Sequence, residues 1–176
     1  MRIRRFSRFW MRMAVVLFLL AGVASAVDPP MQSFTSTDGR FSTQFPGAPK
    51  QNTEDVSLKN GETAKLYEFF SEADNGNTSY IVMYNDYAAD VINGAPQTML
   101  AKTRDGAVAG KTLLSDVEIE LGGVPGRAYT ATDSDGWNYD VHEYLAGVRF
   151  YQLIVTTAKG HTATQRDAFM NAFKIL

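Results

Sequence analysis

The chain has no cysteine among its 176 residues. This absence excludes structural disulfides, thiol catalysis, thiolate zinc sites and a lipid-modified cysteine. Histidine is scarce as well, because only His142 and His161 occur, and no Gly-x-Ser-x-Gly pattern presents a serine nucleophile on a sharp turn. The sequence therefore contains no recognisable catalytic set, and we predict no cofactor.

Long apolar runs are also missing. The run at 13–24 has about a dozen residues, whereas a helix that crosses a bilayer needs roughly 20. Five arginines precede this run, and the small residues Ala24-Ser25-Ala26 lie at its end. This arrangement is typical of a secretory signal peptide. We predict that residues 1–26 are a signal peptide cut after Ala26. The mature protein is then periplasmic or secreted and has no transmembrane segment.

Positive charge is scarce outside this leader. The leader holds five of the 17 basic residues and none of the 19 acidic ones, so the remaining 150 residues carry a formal net charge of −7. Phosphate binding requires a cluster of Lys or Arg, and none occurs here, which argues against a nucleic acid partner. We expect the partner to be an envelope or exported protein, or a small ligand.

The rest of the chain divides into a spacer and one domain. Residues 27–40 are rich in Pro, Ser, Thr and Asp, as in an N-terminal spacer, and residues 41–176 suffice for a single domain with its own core. Alternation and turn signals predict strands at 41–45, 56–58, 64–71, 80–84, 113–121, 127–132, 137–145, 148–157 and 174–176. Turns are predicted at 60–61, 74–77, 122–126 and 133–136. Helical spacing after Pro96 predicts a helix within 95–110, and a capping box at Thr162 and Gln165 predicts another at 163–172.

This order of elements predicts an α+β fold, in which helices cover an antiparallel β-sheet as an α/β/α sandwich. The strand at 148–157 shows why both faces need cover. Val148, Phe150 and Ile154 lie on one alternating face, and apolar residues also occupy the other face.

Four segments, in this order, resemble exported bacterial proteins of the PsbP/Mog1-like fold family. They are Phe41-Ser-Thr-Gln-Phe-Pro-Gly-Ala-Pro-Lys50, Gly123-Val-Pro-Gly-Arg-Ala-Tyr129, Gly147-Val-Arg-Phe-Tyr-Gln-Leu-Ile-Val155 and Phe169-Met-Asn-Ala-Phe-Lys-Ile175. The resemblance implies an antiparallel sheet between helices. Photosynthetic members of the family are lumenal assembly and ion-retention factors, another branch binds a small GTPase, and many bacterial members have no assigned role. No functional residue of either branch matches this sequence, so the resemblance implies a fold and not a site.

Aromatic residues on the predicted strands are the first candidate for a site. Trp137 and Tyr139 share a strand face beside an Asp-rich turn, and Tyr84 joins them if its strand lies nearby. Such rings suit ligand pockets and protein interfaces, and the alternative is that they form core with hydroxyls at the rim. We predict a non-enzymatic binding or assembly module that uses an aromatic-rich sheet face or loop end.

Two further interpretations stay open. A hydrolase-type enzyme could use His142 with Asp140, because a strand places both on one face with Tyr144 and places Glu143 on the other. The alternative is an ordinary polar strand face.

The second open interpretation is weak calcium binding at the 133–140 loop. Asp133, Asp135 and Asp140 offer the oxygen ligands that calcium prefers. Against an EF-hand, the frame set by Gly136 places Ala131 and His142 at two ligand positions. A plain hairpin turn also explains the Asp and Gly residues.

Overall fold

The computed structural model describes residues 28–57, 63–92 and 94–176. The predicted signal peptide at 1–26 and the turn at 60–61 lie outside these residues. The described strands are β1 (Met31–Ser36), β2 (Phe41–Pro46), β3 (Lys50–Ser57), β4 (Thr63–Ala73), β5 (Thr78–Asp86), β6 (Thr112–Leu121), β7 (Val124–Thr132), β8 (Asn138–Ala146), β9 (Arg149–Thr157) and β10 (Lys174–Ile175). The described helices are α1 (Pro96–Ala107) and α2 (Arg166–Ala172), and neither is long and apolar enough to cross a membrane.

The strands pair antiparallel in two sheets. Seven strands form the large sheet in the order β3-β4-β5-β9-β8-β7-β6, and the small sheet has the order β1-β2-β10. Consecutive strands are neighbours within 50–86 and within 112–157, which confirms the predicted hairpins. The two meanders join where β5 pairs with β9, with Ile81 opposite Ile154. The small sheet unites the two ends of the described chain.

Both faces of the large sheet are covered. One face meets the small sheet and α2 in an aromatic core, whose rings are Phe41, Phe45, Phe69, Tyr80, Tyr84, Tyr144, Tyr151, Phe169 and Phe173. The other face carries Ile81, Tyr129 and Val141, and α1 packs there on β7 and β8. The α1 residue Leu100 is fully buried in a cluster with Leu145 and Phe150. The prediction that the strand near 148–157 needs cover on both faces is confirmed.

The α+β class with an antiparallel sheet is confirmed, whereas the α/β/α layering is not. Helices are few, and β1, β2 and β10 share the cover of the aromatic core with the seven-residue α2. Ordered structure also begins before Phe41, because β1 lies in the segment predicted as a spacer. This strand is hard to recognise in the sequence because it is an edge strand with polar, exposed residues. Its Phe34 ring reaches the core, 5.0 Å from the centroid of Phe69.

Several predicted element ends differ in the structure. The strand predicted at 56–58 already begins at Lys50, because the polar residues of this edge strand give no apolar alternation. The second helix begins at Arg166, and Gln165 caps it without a side-chain hydrogen bond. The capping box does not form, and the Gln165 side chain lies instead against the N-terminal segment, where Nε2 donates to the Pro29 carbonyl at 2.9 Å. The turn predicted at 122–126 is shorter, because β7 already begins at Val124. Gly122 and Gly123 make this turn with positive φ angles of 58° and 85°.

Candidate functional site

The aromatic core opens to solvent at one end of the sandwich. The opening is a groove of about 290 Å³ between the β1–β2 turn and the strands β3, β4 and β5. Its lining residues are Phe34, Thr35, Ser36, Thr37, Asp38, Gln51, Tyr67, Phe69 and Tyr84. We call it the aromatic groove.

Two stacked tyrosines form a wall of the aromatic groove. Tyr67 on β4 lies directly opposite Tyr84 on β5, so the sheet register itself brings the two rings together. Their centroids are 4.7 Å apart and their planes differ by 10°. Tyr84 is only 3% exposed, whereas Tyr67 is partly exposed. The wall therefore presents one accessible ring that a buried ring supports from behind.

Arg149 fixes the turn that forms the opposite wall. Its guanidinium donates two hydrogen bonds of 2.6 Å to the Asp86 carboxylate and another of 2.6 Å to the Asp38 carbonyl. The guanidinium carbon also lies 4.8 Å from the ring centroid of Tyr84. Tyr151 adds a hydrogen bond of 2.7 Å from its hydroxyl to the Gly39 carbonyl. The β1–β2 turn is thus held against the large sheet by contacts within the chain.

The charges around Arg149 follow from the same contacts. The hydrogen bond from Arg149 holds the pKa of Asp86 below its usual value. Burial raises the pKa of Tyr84, although the Arg149 charge opposes this shift. The Tyr84 hydroxyl therefore stays protonated at neutral pH. The rim of the groove carries the exposed polar residues Thr35, Asp38 and Gln51. The accessible lining of the groove is more polar than apolar, so a bound group would meet hydrogen-bonding atoms as well as the Tyr67 ring.

The structure does not bring the three predicted aromatic site residues together. Tyr84 lies opposite Tyr151 on β9, and Tyr139 lies opposite Thr156 on the same strand. Residues 151 and 156 are an odd number of positions apart, so their side chains lie on opposite faces of the sheet. Tyr84 therefore lines the aromatic groove, whereas Tyr139 lies on the α1 face. The odd spacing of residues 151 and 156 can be read from the sequence, but it separates Tyr84 from Tyr139 only once the strands that pair with β9 are known.

Two of the three acidic residues predicted as metal ligands in the 133–140 loop, Asp133 and Asp140, have other partners. Asp133 Oδ1 accepts the backbone N–H groups of Asp135 and Trp137 at 3.0 and 2.9 Å, and Oδ2 accepts the Tyr139 hydroxyl at 2.8 Å. Burial raises the pKa of Asp133, but these hydrogen bonds outweigh it and lower the pKa overall. Asp140 is paired instead with Arg166 of α2 at 2.9 Å. No group of three or more acidic or histidine side chains is arranged to hold a metal ion within the described residues.

His142 lies on the same strand face as Tyr144, as predicted, but Asp140, its predicted partner, forms an ion pair with Arg166. Tyr144 lies in the aromatic core on the same face, and its hydroxyl is 3.5 Å from His142 Nδ1. Burial is the main cause that lowers the pKa of His142, and the Arg166 charge lowers it further against the opposing effect of Asp140. The carboxylate that would orient this imidazole is thus held by Arg166.

A buried polar cluster under α1 was not identified from the sequence. Glu143 is completely buried. Its Oε1 accepts the Tyr129 hydroxyl at 2.8 Å and Gln152 Nε2 at 2.7 Å, and its Oε2 lies 2.8 Å from the Thr103 hydroxyl. Burial raises the pKa of Glu143. The only sequence signal was the apolar residues at 141 and 145, which share its strand face. These contacts join α1 to β7, β8 and β9.

Comparison with known proteins identifies the fold. No protein-family model matches the chain. No curated protein matches it either. Among solved structures, cyanobacterial PsbP from Synechocystis sp. PCC 6803 is similar, with a TM-score of 0.53 and 12% identity over 91% of this chain and 99% of that chain. The fold is PsbP-like.

A second solved structure is a Pseudomonas aeruginosa protein of unknown function described as a putative regulator. Its TM-score is 0.46 at 11% identity, and the match covers 81% of this chain and 92% of that one. The similarity to cyanobacterial PsbP confirms, at the level of fold, the resemblance stated from the sequence. At such identities the likeness transfers no binding residue to this chain.

Proposed function

We propose that the chain is an exported, non-enzymatic binding module that contacts an envelope or exported protein, or a small ligand, through the aromatic groove. The observation that carries this proposal is the stacked pair of Tyr67 and Tyr84, which places a partly exposed ring in the groove. Tyr and Trp rings that combine an apolar body with a polar tip are enriched at such contacts.

The size of the groove limits what it holds. A volume of about 290 Å³ is at the lower end of the range for ligand pockets, which runs from roughly 300 to 1,000 Å³. It suits one planar or aliphatic group that stacks on Tyr67, such as a side chain of a peptide segment, and is too small for a dinucleotide. The polar rim residues would then hydrogen-bond the backbone or polar end of the bound group.

Export rests on the predicted leader at 1–26. A cut after Ala26 leaves intact the contacts that anchor the start of the described chain. Asp28 Oδ1 accepts the backbone N–H of Asp74 at 3.1 Å, and its Oδ2 accepts the Thr164 hydroxyl at 2.5 Å. The proposed mature chain would therefore begin one residue before an anchored carboxylate.

Photo-crosslinking in cells that express the full sequence tests the proposal. A photoreactive amino acid replaces Thr35 at the rim of the groove, and the matched control replaces the exposed Lys102 on α1. We expect a specific crosslinked product from position 35 and none from position 102. Tyr67→Ala should abolish this product, and Tyr67→Phe should preserve it because the stacking ring remains. Equal products from both positions, or a product that persists in Tyr67→Ala, would refute the proposal.

A further inference from the structure

Exposed apolar side chains concentrate on β6, at the opposite end of the large sheet from the aromatic groove. Among the described residues, Leu113, Leu114 and Val117 are 38%, 60% and 57% exposed. The described residues include six exposed large apolar side chains in total. Three of the six therefore lie within the five consecutive positions 113–117. Such clustering on a monomer surface is typical of an interaction site.

The strand β6 is also an edge. It is the last strand in the sheet order and pairs with β7, so its outer side offers backbone donors and acceptors to an added strand. Leu114 is the extra residue of a bulge, because the register moves from Leu113 opposite Ala131 to Ser115 opposite Thr130. The regular edge therefore runs from residue 115 to 121.

The other edge of the large sheet differs in composition. Residues 50–55 of β3 are all polar, and no large apolar side chain among them is exposed to solvent. Polar and charged side chains are the usual protection of an edge strand against pairing. β6 also carries carboxylates and a bulge, so what distinguishes it from β3 is its exposed apolar side chains, which a partner would cover.

Charge indicates which partner fits. Glu118 and Glu120 alternate with Val117 and Ile119 along the regular edge, and the Glu118 side chain is 64% exposed. Asp116 lies on the same strand face as these glutamates and forms ion pairs with Arg104 and Arg127. Arg127 also lies 3.9 Å from Glu118 Oε1, and Glu120 Oε1 accepts the Gly123 N–H at 3.1 Å, so both glutamates are exposed but already have one partner within the chain. The edge thus presents alternating apolar and acidic positions.

A second copy of this chain fits poorly. An antiparallel copy of β6 on a two-fold axis pairs positions of the same parity, so the carboxylates at 116, 118 and 120 would face one another. Like charges directly opposite each other in a sheet are destabilising.

We propose that β6 accepts an extended segment of a different protein as an added antiparallel strand. In this segment basic residues alternate with apolar ones. Lys or Arg would face Glu118 and Glu120, apolar side chains would pack on Val117, and main-chain hydrogen bonds would supply affinity.

The test uses the protein purified after export from cells that express the full sequence. The probe is a ten-residue peptide that alternates lysine and valine, which matches the ten residues of β6. The matched control alternates glutamate and valine. Affinity is measured by titration at low and high salt, and amide hydrogen exchange locates the bound strand.

We expect the lysine peptide to bind about tenfold more tightly than the glutamate peptide, to weaken with salt, and to slow exchange in β6 but not in β3. The double variant Glu118→Lys, Glu120→Lys should reverse the preference. Because it also removes the Glu118 ion pair with Arg127 and the Glu120 hydrogen bond to the Gly123 N–H, both peptides are titrated at a temperature at which the variant is shown to be folded. Equal binding of both peptides, protection of β3, or a dimer of the protein through β6 would overturn the proposal. Binding of neither peptide would also overturn it, because the bulge and carboxylates would then only protect the edge.

Discussion

At the scale of single residues, the contacts of Glu143 indicate that its side chain is a protonated carboxylic acid and not a carboxylate. The Thr103 hydroxyl lies 2.8 Å from Glu143 Oε2 and 2.8 Å from the Leu100 carbonyl, yet it carries one hydrogen. If Glu143 is protonated on Oε2, it donates to Thr103, and Thr103 donates to Leu100. Burial, which raises the pKa of Glu143, favours the same protonated form.

This assignment predicts a pH effect on stability. Because the pKa of Glu143 is raised on folding, its contribution is fully present below the unfolded value of about 4.5 and is lost as the pH rises through the folded pKa. Glu143→Gln supplies an N–H at the Oε2 position without titrating. We expect its free energy of unfolding, relative to the native chain, to increase between pH 4.5 and 8 in urea titrations. Glu143→Ala should instead lose about 3 kcal/mol or more, because it leaves a cavity and unpaired polar groups. Parallel curves for the native chain and Glu143→Gln would contradict the assignment.

At the scale of elements, the β7–β8 pairing depends on the absence of a side chain at Gly126. A Cβ atom there would lie 2.5 Å from Cδ1 of Tyr144 and 2.6 Å from the backbone oxygen of Glu143. The Glu143 backbone on β8 cannot move away from this Cβ atom without disturbing its pairing with β7. We expect Gly126→Ala to lower the free energy of unfolding by about 1–3 kcal/mol, measured from urea midpoints. Gly106→Ala in α1 is the control, since nothing lies within 4 Å, and it should stabilise by up to about 1 kcal/mol. Equal effects at the two glycines would show that this close approach does not limit the pairing.

The elements also show what the sequence could predict. Alternation and turn residues located the strands from β4 to β9, and Pro96 marked the start of α1, because these signals depend on neighbouring residues. The start of α2 was wrong because the predicted capping box does not form, and the Gln165 side chain contacts Pro29 instead, which no local pattern reveals. The aromatic groove depends on such distant contacts too. Tyr84 was identified as a candidate, but its stacking on Tyr67 follows from the sheet register. The opposite wall, residues 34–38, comes from the end of β1 and the turn after it, and the polar sequence of β1 did not indicate a strand.

At the scale of the whole molecule, the two ends of the described chain close the aromatic core together. Phe173, between α2 and β10, is 2% exposed, and its ring centroid lies 5.6 Å from those of Phe41 and Tyr151. It also stacks on Tyr144 of the large sheet at 5.9 Å with planes 12° apart. A single residue near the C-terminus thus joins β2 of the small sheet to β8 and β9 of the large one.

This arrangement predicts that the two sheets unfold as one unit. Phe173→Ala should lower the free energy of unfolding by about 3–5 kcal/mol through the cavity that it leaves. Trp137 fluorescence reports on the large sheet, and amide exchange in β2 reports on the small one. Both probes should report the same decrease in the free energy of unfolding, because neither sheet buries its aromatic face without the other. The control Leu176→Ala removes a side chain that is 65% exposed and should change stability by less than about 0.5 kcal/mol. Loss of β2 protection at a denaturant concentration that leaves Trp137 fluorescence unchanged would mean that the large sheet folds independently, supported on this face by α2 alone.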